Sequence, residues 1–441
     1  MKLTLLAILS GWACLCAQPS VAPMVPHPAA VTVDQAVEEA LAKNLSLAAE
    51  RYNIGIAEAR QITARLRPNP VLTLDGDHLD LLGTGFNTIN NGGPNEYSVR
   101  TDFVLERGGK RAARMAVASA DTSVAGLSFR DTIRRLVYEV ESAFVDVQLA
   151  KEALALTQDN LRSFNEIVRV NTARVKSGDL APVELDRSRV AALQAQAAVR
   201  QAELQYAQAA NRLQVLMGRT PPSKDFDVTG PFRKDSRKLD LAELQRTALT
   251  NRPDLLSLRQ TIARNQADLR LQIAQSKPDF TVGSEYRRQQ APSATANTLG
   301  LFFSVPLAVF NRNQGEIARA QREQAQTTAR LRAQEAGVNA EVLSAWEQYT
   351  TARALVDSIE AEMLAKARNV RDTTSYSYRR GEATLVELLD AQRAFNDTMQ
   401  GYNEARANYA RSLYLMDSVS GGAPVNGAAG SNPLRENSHE E

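Results

Sequence analysis

Two carboxylates, Glu387 and Asp390, lie one helical turn apart just after Gly381, in the stretch GEATLVELLD. Acidic groups held that close can gather cations or share a proton. Thr384 with Glu387 also fits the S/T-x-x-E capping pattern, in which both side chains satisfy free amides at a helix start. Both readings stand for Glu387, whereas Asp390 has no capping role. Glu184 follows Pro182 after an earlier glycine, Gly178, and suits the positive end of a helix. The remaining reactive groups are sparse. Three histidines, His27, His78 and His439, are dispersed, which argues against a metal cluster. RGGKR, from Arg107, lacks the spacing of a phosphate-binding loop. Its glycines suit a turn into a helix, and Lys110, Arg111 and Arg114 suit a solvated helix start. No cofactor site and no catalytic constellation emerge, so the expectation is a protein that is not an enzyme.

The elements that must position these residues are long helices. The chain has 441 residues, with 52 basic against 50 acidic side chains and few aromatics. No polybasic run is present, which points away from a nucleic-acid partner. The opening MKLTLLAILSGWACLCAQPS reads as an export signal over residues 1–17, followed by a Pro-rich segment over 18–30. Both cysteines, Cys14 and Cys16, fall inside the signal. Lipidation there fits less well, because Gly11 and Trp12 precede one and Leu15 the other. Beyond the signal no stretch approaches eighteen apolar residues, so a helical membrane span is not expected and a strand-built one stays open.

The chain is written twice. Residues 31–78 align without a gap on residues 239–286, with Ala40-Leu41 on Ala248-Leu249 and Pro70 on Pro278. Further on, Ala143-Phe144 matches Ala345-Trp346, Gly178 matches Gly381, and Tyr206-Ala207 matches Tyr409-Ala410. The expected organisation is a first repeat over 31–218, a linker over 219–238, a second repeat over 239–420 and a flexible tail over 421–441.

Each repeat contains the same parts. An amphipathic helix (33–66; 241–275) ends at a proline. Alternation then marks a strand, with Leu72 and Leu74 against Thr73 and Asp75, or Phe280 and Val282 against Thr281 and Gly283. A Gly/Asn/Pro/Ser-rich loop (81–96; 287–297) leads to a second strand. A very long helix follows, from Gly109 or Gln314 to the glycine turn, and a shorter one runs on to Met217 or Val419. The stretch from 109 to 176 is about 100 Å long as a helix. It matches the combined length of the two shorter helices, so it can lie antiparallel to both, stacked in line.

The post-turn helix carries an a/d seam, Leu185, Ala192, Val199, Tyr206, Leu213 with Ser188, Ala195, Ala202, Ala209, Leu216. Val183, Val190, Ala197 and Leu204 form a second, partial seam, so this helix can touch neighbours on two sides. An ordinary helical bundle would explain the seams but not the strands. Four strands cannot close a membrane barrel, and open edges in lipid leave backbone groups unsatisfied. A barrel therefore requires several chains.

RGGKRAARMAVASA, VPLAVFNRNQGEIARAQ and YRRGEATLVELLDAQR, in this order and with this duplication, resemble the TolC-type outer-membrane efflux family over the mature length of the chain. RGGKRAAR and SGDLAPVEL lean toward the outer components of heavy-metal, cobalt-zinc-cadmium type, resistance-nodulation-division pumps. The resemblance implies a mainly α fold with a small β part. Tandem-duplicated long helical hairpins would form a trimeric α-helical tunnel in the periplasm, and four strands per chain would contribute to a twelve-stranded outer-membrane β-barrel. It further implies an exit duct of a tripartite efflux system. The implied partners are a homotrimer, a periplasmic adaptor, an inner-membrane pump and outer-membrane lipid. The cargo would be metal cations or small toxic compounds. A duct for drug efflux or type I protein secretion is the alternative within the family. A periplasmic coiled-coil adaptor is the alternative outside it, although adaptors normally carry one hairpin, not two.

The resemblance also assigns the tips. Gly178, Asp179, Gly381 and Glu382 would meet the adaptor. Glu387, where the family often has Asp, and Asp390 would line a narrow periplasmic gate. Tyr378 and Glu184 would latch neighbouring hairpins. A further latch arginine of the family has no counterpart, since Ala383 stands there.

Overall fold

The computed structural model describes residues 30–79, 81, 83, 95–235, 239–290 and 294–422. The expected signal segment, its two cysteines, His27, His439, most of the loop 81–96 and nearly all of the tail lie outside the described residues.

In chain order the elements are β1 (Ala30–Val31), α1 (Val33–Lys43), α2 (Leu45–Arg65), β2 (Val71–Asp77), β3 (Asn95–Leu105), α3 (Lys110–Ser177) and α4 (Pro182–Leu216). The second half continues with β4 (Asp227–Val228), α5 (Leu241–Asn251), α6 (Pro253–Gln275), β5 (Phe280–Gln290), β6 (Thr295–Ser304), α7 (Gln314–Ser358), α8 (Leu364–Arg380) and α9 (Leu385–Val419). A π-helical turn, Ile359–Met363, joins α7 to α8.

The first helix of each half is broken, where the sequence pattern suggested one piece. Asn44 leaves the helix with ψ 121° and its Oδ1 accepts from the Leu47 amide at 2.8 Å, starting α2 afresh. In the second half Arg252 breaks the helix and Pro253 occupies the first position of α6, where its missing N–H costs nothing. Each break is where two short helices meet end to end. Asn44 Nδ2 donates to the Leu216 carbonyl at 2.8 Å, and Gly218 (φ 76°) passes so close to Lys43 that a Cβ would sit 2.2 Å from its carbonyl oxygen. Gly421 (φ 71°) approaches Arg252 in the same way. Hence α2 and α4 form one column and α6 and α9 another.

The 68-residue α3 runs antiparallel to both columns, and α7 with α8 packs on the outer side of α6 and α9. The helices therefore make a slab of four columns, α2/α4, α3, α6/α9 and α7/α8. The a/d seam of α4 is turned inward, with Leu185, Ser188, Ala195, Val199, Ala202 and Leu213 buried. Its second seam is uncovered: Val183, Val190 and Leu204 remain 55%, 54% and 50% exposed.

The segment between the halves is not a bare linker. β4 pairs in parallel with β1, and Phe226, Val228 and Phe232 are buried. Tyr206 donates to Asp227 Oδ1 at 2.9 Å and Lys151 pairs with Asp227 at 2.7 Å, so a strap crosses the middle of the slab.

The four longer strands form one antiparallel sheet in the order β2-β3-β5-β6, joined across the repeats by β3 and β5. β5 and β6 pair out to Gln290 and Thr295, so this hairpin loop is shorter than expected. The period-two alternation simply continues through Arg287 and Gln289. Register fixes the two faces. Leu72, Leu74, Val99, Phe103, Val282, Tyr286, Leu299, Leu301 and Phe303 share one face and are all exposed. The other face is charged. Arg100 donates to Asp102 at 3.0 and 2.9 Å and lies 4.3 Å over the Phe302 ring, while Arg287 pairs with Glu285 and Glu96.

Candidate functional site

The two glycine turns have the same geometry. Gly178 and Gly381 both have φ 80°, a left-handed conformation that favours glycine. Asp179 N donates to the Arg174 carbonyl at 2.8 Å, and Glu382 N to the Ser377 carbonyl at 2.9 Å. This reciprocal closure ends α3 and α8 in the way glycine caps do. Pro182 then starts α4 and Thr384 caps α9.

Glu387 closes the capping box. Its Oε2 accepts from the Thr384 amide at 2.7 Å and from the Thr384 hydroxyl at 2.9 Å. These bonds, the amide first, hold its carboxyl below the usual value. Asp390, one turn on, projects outward with Arg393 at 3.7 Å and stays mostly exposed. Glu184 pairs with Arg187 on its own helix at 2.9 Å. Asp179 accepts from Ser177 at 2.7 Å.

Tyr378 is not surface-facing; it is 4% exposed and its hydroxyl donates to Asn171 Oδ1 at 2.6 Å. Within one chain the structure thus brings Tyr378 to α3 and leaves Glu184 with Arg187. Asn171 is fully buried and its Nδ2 has no partner among the described residues. Arg174 reaches across from α3, donating to the carbonyls of Tyr378 at 3.2 Å and Arg379 at 3.3 Å. Leu385 and Leu388 close the apolar side of this contact. Nearer the middle, Asn160 Oδ1 accepts from Gln392 at 3.2 Å and Asn396 at 2.8 Å.

Asn160, Asn171 and Arg174 were not singled out from the sequence. They share a helical stripe with Ile167, and polar residues on an apolar stripe are the signal that could have found them. Of the basic cluster after RGG, Arg111 is exposed as a solvated helix start requires, whereas Lys110 is not. Lys110 is nearly buried and pairs with Asp279 of the second half at 2.8 Å, Arg111 donates to the Arg65 carbonyl at 2.6 Å, and Arg114 binds Glu106 and the Leu66 carbonyl. These residues clamp the helix start to α2 and β5, because the free carbonyls at the end of α2 need donors.

Among the described residues no group of His, Cys, Asp and Glu is placed to hold a metal, and no helix is long and apolar enough to cross a membrane. The tips are a polar-bonded closure, with Asp390 as the outward carboxylate.

The family model described as outer membrane efflux protein matches residues 36–219 and 244–422. The chain is 26% identical over 388 residues to the cobalt-zinc-cadmium resistance protein CzcC of Cupriavidus metallidurans, covering 85% of this chain and 86% of that protein. Its fold superposes on the crystal structure of CusC with a TM-score of 0.72 at 18% identity, over 89% of this chain and 92% of the other. It superposes on the CmeC outer membrane channel of Campylobacter jejuni with a TM-score of 0.74 at 14% identity, over 88% and 85%.

Proposed function

The chain belongs to the outer membrane efflux protein family, and from that premise we propose that three copies close into a passive exit duct through the outer membrane. One observation carries this reading: sheet and slab are open at the same two edges. β2 ends the sheet beside the α2/α4 column, and β6 ends it beside α7/α8. Joining β6 of one copy to β2 of the next also joins α7/α8 to α2/α4. Three repetitions pair every strand edge, leaving the apolar sheet face outward in lipid and the charged face inward on water. The uncovered seam Val183, Val190, Leu204 then meets the neighbouring helices.

The tips converge at the periplasmic end, where they would receive an adaptor connected to an inner-membrane pump. Three copies each of Glu387 and Asp390 set six carboxylates around one axis, and the pump supplies the energy. The likeness to a cobalt-zinc-cadmium resistance protein favours divalent metal cations as cargo. Detergent-purified protein should have the mass of three chains and conduct in planar bilayers. A stable folded monomer without conductance would sink the duct. Co-expression with an adaptor and pump of the cobalt-zinc-cadmium type should lower cellular zinc, cobalt or cadmium; unchanged metal content with restored drug efflux would reassign the cargo.

A further inference from the structure

Each of the four crossings between sheet and helices carries one exposed cation outside any ion pair among the described residues. Arg67 lies between α2 and β2, Arg107 between β3 and α3, Lys277 between α6 and β5, and Arg312 between β6 and α7. The acids of this layer are already engaged, Asp279 by Lys110 and Glu106 by Arg114. The layer therefore has surplus positive charge. At the opposite end of the strands Arg287 is engaged, by Glu96 at 3.0 Å and Glu285 at 2.8 Å.

Arg107 borders the apolar face. Arg107 lies 4.2 Å over the Phe280 ring, which packs on Phe303 at 5.3 Å. Beyond β6, Leu307 and Phe310 are 81% and 91% exposed. Tyr97 and Tyr286 mark the far limit of the same face. From Leu105 to Tyr97 the strand rises about 27 Å, or about 20 Å when tilted as barrel strands are, close to the height of a barrel's apolar band.

We propose that the four junction cations form a collar that binds anionic phospholipid of the periplasmic leaflet. This rests on the barrel reading above, which repeats the collar in three copies around the duct. A phosphodiester at the lower edge of the band meets guanidinium forks and an ammonium, while its acyl chains lie against Phe303 and Leu307. A zwitterionic headgroup brings its own cation and gains less.

The test uses Leu307→Trp in the full chain, reconstituted as the purified assembly in phosphatidylcholine vesicles. The native Trp346 lies some 48 Å along α7 from its first residue and serves as the internal reference. Brominated phosphatidylglycerol should quench the new tryptophan at about fivefold lower mole fraction than brominated phosphatidylcholine. The preference should fade as salt is raised. It should drop to about one in the combined variant Arg67→Gln, Arg107→Gln, Lys277→Gln, Arg312→Gln. Equal quenching by both lipids overturns the collar and leaves the barrel standing. Quenching by neither places Leu307 outside lipid, and the barrel placement fails with the collar. Should the combined variant not assemble, the salt titration of the parent decides: a preference unchanged at high salt overturns the proposal.

Discussion

The Tyr378 hydroxyl donates to Asn171 Oδ1 at 2.6 Å, and this buried bond ties the second hairpin tip to the long helix of the first. Its partner amide Nδ2 has no acceptor among the described residues, so the contact is polar, buried and incompletely satisfied. Loss of the hydroxyl leaves the whole carboxamide unpaired, at a cost of about 1–3 kcal/mol. Tyr378→Phe should therefore loosen the tips, raise conductance in planar bilayers and admit large antibiotics into cells. Asn171→Leu should behave alike if the closure runs within one chain. Glu184→Gln should match them only if Tyr378 also latches to a neighbour. Parent-like conductance in all three variants would leave these residues structural.

Glu387 and Asp390 should separate cleanly. Thr384→Ala removes the cap and should cost about 1 kcal/mol of tip stability. The Glu387 pKa is lowered in the folded state, so its contribution is present above about pH 4.5 and is lost as pH falls through the lower folded value. Conductance should then rise below about pH 4.5 in the parent and lose that dependence in Glu387→Gln. Asp390→Ala should leave assembly intact and weaken block by multivalent cations. Unchanged block would remove Asp390 from the lumen.

Much of this architecture was legible because periodicity encodes it. Alternation over residues 72–75 and 280–283 gave the strands, and the seven-residue spacing of Leu185, Ala192, Val199, Tyr206 and Leu213 gave the inward face of α4. Features without a period were missed. A two-residue ladder such as β1 with β4 has no pattern to read, and the π turn at Ile359–Met363 leaves no composition signal. The break at Asn44 was readable as an N-cap and the one at Arg252 from Pro253, yet the amphipathic stripe runs across both. At the tips, Glu387 announced its cap through Thr384. The partner of Tyr378 lies 207 positions away and only tertiary packing supplies it.

The uncovered seam of α4 should be where copies meet. A charge at a half-buried seam position costs little in a free chain and much in a closed assembly. Leu204→Glu should shift detergent-purified protein from three chains toward one while helix content stays unchanged. Leu204→Met should assemble normally. A Leu204→Glu protein that remains fully trimeric would place this face on solvent.

Glu141 should set how stability responds to pH. It is 7% exposed on α3, and burial pushes its carboxyl up to about 8, with Asp417 and Asp34 adding repulsion and Arg233 opposing it. Arg233 relieves it little, because that guanidinium pairs with Asp417 at 2.7 Å and lies 4.8 Å over the Tyr414 ring. Tyr414 is itself pushed up to about 12, by burial first and then by Glu141. A carboxyl whose folded pKa is raised binds its proton more tightly in the native state. Stability is therefore full below the unfolded value of about 4.5 and declines as pH rises toward 8. Between pH 5.5 and 7.5 the loss should be about 1–3 kcal/mol. Thermal melts followed by helical circular dichroism should show a lower midpoint at pH 8.5 than at pH 5.5. Glu141→Gln keeps the volume, carries no charge and should flatten most of that difference. If parent and Glu141→Gln melt with the same pH dependence, another group governs it and the strap at Arg233 is indifferent to Glu141.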